Sequence, residues 1–107
     1  GMSLAEFGEQ LYVSKACVTC HKIDGSAGTG PSFLNIFGTK EMLNDGTDVL
    51  VDENYIRESV LNPLAKITAG YQPVMPTYQG ILKERQIDAL IAFIKSLQGK
   101  EKLNDEQ

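Results

Sequence analysis

The sequence predicts an all-α domain: a few helices joined by long loops, with one small β-hairpin near residues 41–51. Three observations carry that prediction. Apolar residues recur at helical spacing in three separate stretches. The segments between them are too rich in glycine, proline, serine and threonine to continue as helix. One Asp45-Gly46 pair sits between two short apolar runs, and nowhere do strand and helix patterns alternate as a parallel sheet would require.

Each element follows from its residues. Gly1-Met2 reads as a cloning remnant ahead of the domain. Ser3-Leu4-Ala5-Glu6 is a capping box, with the serine as N-cap and the glutamate reaching back. Leu4, Phe7, Gly8, Leu11 and Tyr12 then line one helical face, predicting a helix to about Lys15. Residues 24–39, "DGSAGTGPSFLNIFGT", form a long loop, with Phe33, Leu34, Ile36 and Phe37 expected to be buried beneath it. Asp52 can cap a helix from Glu53 to Leu61, with Ile56, Val60 and Leu61 inward. Pro63 ends that helix, and Asn62-Pro63 is expected to start another short one ending near Ala69-Gly70. Residues 70–82, "GYQPVMPTYQGIL", make a stiff non-helical loop. The last helix is predicted from Lys83 to Gln98, with Ile87, Leu90, Ile91, Ile94 and Leu97 as its stripe and Gly99 as its stop. The domain thus spans residues 3–99, and residues 100–107 are a polar C-terminal tail.

Composition narrows the function. The chain of 107 residues carries a formal charge of −4 and no basic stripe, which argues against nucleic acid. No apolar run approaches the roughly 20 residues of a membrane span, and no signal-peptide pattern is present. If Gly1-Met2 is a remnant, an export signal or anchor would have preceded it. With no tryptophan, four Phe and four Tyr, the core is modest, and a bulky apolar cofactor would add much buried surface.

The chemistry concentrates in "ACVTCHK", residues 16–22, which holds both cysteines and the sole histidine. Structural zinc needs four ligands, and no further Cys or His exists to supply them. A thioredoxin-like dithiol belongs at a strand end in a βαβ unit, whereas an amphipathic helix leads in here. A disulfide between Cys17 and Cys20 would close too small a loop to stabilise much. Cys-x-x-Cys-His is also the signature of covalent haem attachment, the sulfurs adding to the porphyrin vinyls and His21 lying under the iron. An incidental thiol pair beside a surface histidine is the bland alternative.

A second axial ligand must then come from Met2, Met42, Met75, a lysine, or nowhere. Met2 lies at a fraying end, and Met42 suits gap-filling in the hairpin. Met75 lies on no helical stripe, between Pro73 and Pro76, where restricted backbone holds the sulfur at low entropic cost. It is the favoured candidate, and a thioether ligand raises the reduction potential.

The order of motifs resembles class I cytochromes c. A capped helix enters Cys17-Val18-Thr19-Cys20-His21, then come "GTGPSFLNIFG", "DENYIRESVLNP", the Met75 loop and "QIDALIAFIKSL". The resemblance covers about residues 3–98 and implies helices wrapped around one covalently bound haem c. It implies that the Pro31 carbonyl accepts the ligand histidine's second N–H. It also implies a crossing of first and last helices, Gly8 and Tyr12 against Leu90 and Phe93. The stretch "MLNDGTDVLVDENYIRESVLNPLAKITAGYQPVMPTYQGIL" is similar to the cytochrome c domain fused to subunit II of bacterial haem–copper (caa-type) oxidases. That likeness implies a dinuclear-copper domain and a membrane anchor upstream. By the same resemblance Tyr55 and Arg57 serve a haem propionate, although both would also suit an exposed helix face. Tyr71 and Tyr78 flank Met75 and are expected to wall the haem pocket or simply pack the loop. Lys15, Lys22, Lys66 and Lys83 could steer a partner by charge, as could lysines on any solvated face.

The expectation is therefore one-electron transfer with no catalysis by the domain itself. A redox protein would donate, and the oxidase copper centre of the same native polypeptide would accept. A free periplasmic carrier, a haem sensor or enzyme with an open distal site, and a haem-free dithiol protein are the rivals. Thioether-linked haem is normally installed outside the cytoplasm, so an extracytoplasmic location is expected.

Overall fold

A computed structural model describes residues 1–100; the rest of the predicted polar tail lies outside the described residues. Helix α1 runs Leu4–Ser14, strands β1 and β2 are Lys40–Met42 and Asp48–Leu50, and helices α2 and α3 are Glu53–Leu61 and Glu84–Ser96. The expected capping box is present. The Ser3 hydroxyl accepts from the Glu6 N–H at 3.1 Å, and the Glu6 carboxylate accepts from the Ser3 N–H at 2.8 Å. Asp52 caps α2 by accepting from the Tyr55 N–H at 2.9 Å. Past α3, Gly99 takes φ +77°, the left-handed stop that glycine adopts without strain.

Two helices set the frame. α1 crosses α3 at Gly8, where an added Cβ would come within 1.9 Å of the Ala89 carbonyl oxygen and 2.8 Å of the Phe93 Cβ. Backbone therefore meets backbone, and Ala89 takes the place that the sequence reading assigned to Leu90. Leu90 instead lies in the core with Ile87, Ile91 and Ile94. Tyr12 packs on Phe93 beside the crossing, ring centroids 5.2 Å apart. α2 lies against α3 through Ile56 and Val60. Ion pairs join their exposed sides: Arg57 with Glu84 and, at 3.0 Å, with Asp88; Lys95 with Glu53 at 3.1 Å.

β1 and β2 pair antiparallel, with Lys40 opposite Leu50, Glu41 opposite Val49 and Met42 opposite Asp48. Asp45 closes the loop by accepting from both the N–H and the hydroxyl of Thr47. The helix expected over 63–70 does not form. That segment gives its hydrogen bonds to the hairpin instead: the Asn44 N–H donates to the Ile67 carbonyl at 2.8 Å and the Ala69 N–H to the Met42 carbonyl at 2.9 Å. Leu43 and Thr68 form an isolated bridge. Phe33, Leu34, Ile36 and Phe37 are half-buried rather than buried. Phe33 and Ile36 face a cleft, and Phe37 lies under the Lys95 ammonium, 5.3 Å from the ring centroid.

Candidate functional site

The last turn of α1 delivers the chain to the cysteines. Lys15 ends the helix, and Ala16 turns the backbone sharply at φ +66°. Cys17–Thr19 then form one 3₁₀ turn, closed by the Cys20 and His21 N–H groups donating to the Cys17 carbonyl at 3.2 and 2.9 Å. Residues three apart eclipse on such a turn, so both thiols face the same way. Both line one cleft, and neither is in a disulfide. Burial pushes the Cys17 thiol pKa up, and neighbouring Cys20 adds to this; the Cys17 backbone bond opposes it.

The cleft holds about 1300 Å³ of non-atom space, its open mouth included. Its walls are largely apolar: Ile56 and Val60 from α2, Leu90 and Ile94 from α3, Phe33 and Ile36 from the long loop. His21 also lines it. The imidazole Nδ1 donates to the Pro31 carbonyl oxygen at 2.8 Å, because a carbonyl can only accept. The tautomer is thereby set, leaving Nε2 as a lone-pair donor. Burial lowers the His21 pKa and so favours the neutral ring, and the Pro31 bond opposes this in part. Phe33 stacks on it at 4.4 Å and 16°. On another side lies Gly30, where a Cβ would come within 2.5 Å of the ring Cε1. Only glycine leaves that space.

Met75 lines the same cleft, half-buried on its loop between Pro73 and Pro76. Downstream the loop is pinned. The Thr77 hydroxyl donates to the Leu61 carbonyl at 2.7 Å, the Tyr78 N–H to the Val60 carbonyl at 3.0 Å, and the Tyr78 hydroxyl to the Lys15 carbonyl at 2.6 Å. Tyr55, Tyr71 and Tyr78 are also in the wall. Arg57 is not brought to the cleft; its guanidinium is engaged by Glu84 and Asp88 on the outer face of α2 and α3.

Two features, at Glu41 and Tyr12, escaped the sequence reading, and a third, Lys66, is expected there only as a surface charge. Glu41 lines the cleft, and burial pushes its pKa up. Strand alternation, with Lys40 and Met42 outward, was the available signal for it. Lys66 reaches the cleft wall while paired to Glu58 at 2.6 Å. The Tyr12 hydroxyl donates to the His21 carbonyl, a contact that no local pattern could show.

The donor set can be tested against the expected group. Two adjacent thiols, one neutral imidazole with its Nε2 available and one thioether share a deep apolar cleft. Among the described residues, no three His, Cys, Asp or Glu side chains converge as a metal cage would require. These residues fit a porphyrin tethered at one edge, not a bare ion. Fold and site together define a small helical haem-attachment domain.

Known proteins agree. The sequence pattern of the cytochrome c family matches residues 5–98. The chain belongs to that family, whose cofactor is haem c held covalently through the two cysteines, here Cys17 and Cys20. It is 33% identical over 96 residues to cytochrome c oxidase subunit 2 of Alkalihalophilus pseudofirmus, a match covering 89% of this chain but 26% of that protein. The fold is similar to that of cytochrome cH from Methylobacterium extorquens, with a TM-score of 0.63 at 22% identity, over 86% of this chain and 97% of that one. Among the described residues, no helix is long and apolar enough to cross a membrane.

Proposed function

We propose that this cytochrome c carries one electron at a time on a haem c ligated by His21 and Met75, as the cytochrome c domain of an oxidase subunit II. The observation that carries the ligation is the Nδ1 bond of His21 to Pro31, made in a cleft that Met75 also lines. Haem c supplies a reversible ferric–ferrous couple. Cys17 and Cys20 hold the porphyrin edge, and His21 presents Nε2 with its orientation set by Pro31. Met75 presents a neutral sulfur, which favours the ferrous state and raises the potential. The walls of Ile56, Val60, Leu90 and Ile94 keep water from the cofactor, with Tyr55, Tyr71 and Tyr78 beside them. Two protein ligands keep the coordination full through the cycle, which excludes oxygen and limits rearrangement.

The oxidase assignment is supported by the 33% identity to an oxidase subunit 2 of which this chain matches about a quarter. On that reading a redox protein donates the electron, the subunit's copper centre accepts it, and the domain works outside the cytoplasm. A visible spectrum tests the ligands: ferric wild type should show the weak long-wavelength sulfur-to-iron band, and Met75→Ala should lose it and bind carbon monoxide when reduced. A wild type without the band that binds carbon monoxide readily would overturn the ligand assignment. Stopped-flow oxidation of the reduced domain by a copper-loaded subunit II domain tests the partner; no transfer above the rate of an unrelated copper protein would overturn it.

A further inference from the structure

We infer that Tyr78 is a positioning residue that ties the Met75 loop to the haem-attachment turn and so holds the methionine on the iron; this rests on the His21/Met75 reading. The attachment turn is fastened at both ends by tyrosine hydroxyls. At its far end, the Tyr12 hydroxyl donates to the His21 carbonyl, and Tyr12 is wedged between Phe33 and Phe93, at 5.8 and 5.2 Å between centroids. That end is anchored to the α1–α3 frame.

The near end is anchored differently. The Lys15 carbonyl is one of those at the end of α1 that lack a helical partner. It accepts the Tyr78 hydroxyl at 2.6 Å, from 63 residues along the chain. Tyr78 lies three residues after Met75, and both residues line the cleft. Its backbone is fixed too, since its N–H bonds Val60 and its carbonyl accepts from Ile81 and Leu82. The loop ahead of it is loosely tethered. Between the Ala69–Met42 bond and Thr77, the described hydrogen bonds are local, Tyr71 to Thr68 and Val74 to Gln72. Pro73 and Pro76 have no N–H to donate. Met75 can therefore swing away only by moving a segment whose downstream anchors are Thr77 and Tyr78. Of those two, only Tyr78 reaches the turn that carries the other axial ligand.

Imidazole titration of the ferric holo-protein, followed by loss of the sulfur-to-iron band, measures how readily Met75 leaves. A neutral hydrogen bond contributes about 1 kcal/mol net, so its loss from the closed state raises the open population roughly fivefold. Tyr78→Phe keeps the ring and removes only the hydroxyl; its imidazole midpoint should fall about fivefold, with covalent haem content by mass unchanged. Tyr12→Phe, which removes a bond touching no residue of the Met75 loop, should lower the urea midpoint and leave the imidazole midpoint in place. An unmoved midpoint in Tyr78→Phe, or an equal fall in both variants, would overturn the coupling alone. A wild type lacking the sulfur band would overturn the ligand reading and the coupling with it.

Discussion

Replacing Gly8 by alanine sets two effects of opposite sign against each other. In an exposed helix the change stabilises, since alanine exceeds glycine by about 1 kcal/mol in helix propensity. Here the new methyl would sit 1.9 Å from the Ala89 carbonyl oxygen, 2.6 Å from its carbon and 2.8 Å from the Phe93 Cβ. Ordinary contact begins near 3.4 Å, so about 1.5 Å must be found between the helices. The obstructing atoms are backbone, which cannot rotate aside. A gap of 0.5–1 Å already forfeits roughly a quarter to a half of each dispersion contact along the crossing, Tyr12 on Phe93 included. Overpacking of this kind costs about 3 kcal/mol, and the propensity gain offsets about 1 of them. The net loss of about 2 kcal/mol corresponds to a fall of roughly 8–16 °C in Tm for a domain of this size. Thermal unfolding of the holo-protein followed by far-ultraviolet circular dichroism measures it. A Gly8→Ala protein as stable as wild type would show that helix propensity outweighs the crossing, and that α1 and α3 do not meet backbone to backbone.

Two further substitutions probe the cleft. Gly30→Ala would press a methyl to within 2.5 Å of the His21 ring and dislodge its bond to Pro31; losing about 1 kcal/mol there should lower the holo-protein Tm by at least about 4 °C and perturb the ferric spectrum, and a variant unchanged in both would mean that the ring does not rest on Gly30. Glu41→Gln should raise stability at pH 7 and match wild type at low pH. Burial raises the folded-state pKa of Glu41 above its ordinary value of 4.5, so the ionised carboxylate opposes folding only as pH rises from there through the folded value. Urea midpoints at pH 4 and pH 7 check the sign, and a variant less stable at pH 7 would show that the carboxylate has a favourable partner in the holo-protein.

What could be read in advance was local. The capping box at Ser3, the Asp52 cap, the stripe of α3 and the Cys-x-x-Cys-His turn each depend on residues within a few positions of one another, and each is found where expected. The helix predicted over 63–70 had equally good local signals. It fails because the hairpin offers Asn44 and Met42 as backbone partners, and a tertiary ladder outweighs a weak one-turn propensity. A propionate role for Arg57 rests on resemblance alone, with an exposed helix face as its alternative, and the helix phase carries the side chain outward to Glu84 and Asp88. The hydroxyl bonds of Tyr12 and Tyr78 join residues nine and 63 positions apart, with no periodicity to betray them. Glu41 was missed for another reason: a charged residue in a three-residue strand reads as solvated until something is known to face it.

The site and the core share side chains. Val51, Ile56, Val60, Leu82, Leu90 and Ile94 belong to the buried cluster and also line the cleft, so a porphyrin seated there would complete the core rather than sit upon it. Binding that completes a core is folding free energy, and truncating any of these residues should weaken haem retention and stability together. The loop that carries Met75 joins that core at its end through Leu82, but the stretch around Met75 itself stands apart from the coupling. It touches the frame through Thr77 and Tyr78, whereas the α1–α3 crossing at Gly8 involves no residue of the loop. On the proposed ligation, loss of Met75 from the iron should therefore be a local opening at a small fraction of the global unfolding free energy, with α1, α3 and the His21 side intact. The two proposed axial ligands differ accordingly in character: His21 is built into the frame through Tyr12, Phe33 and Pro31, while Met75 is held against it by hydrogen bonds that a single hydroxyl deletion can weaken.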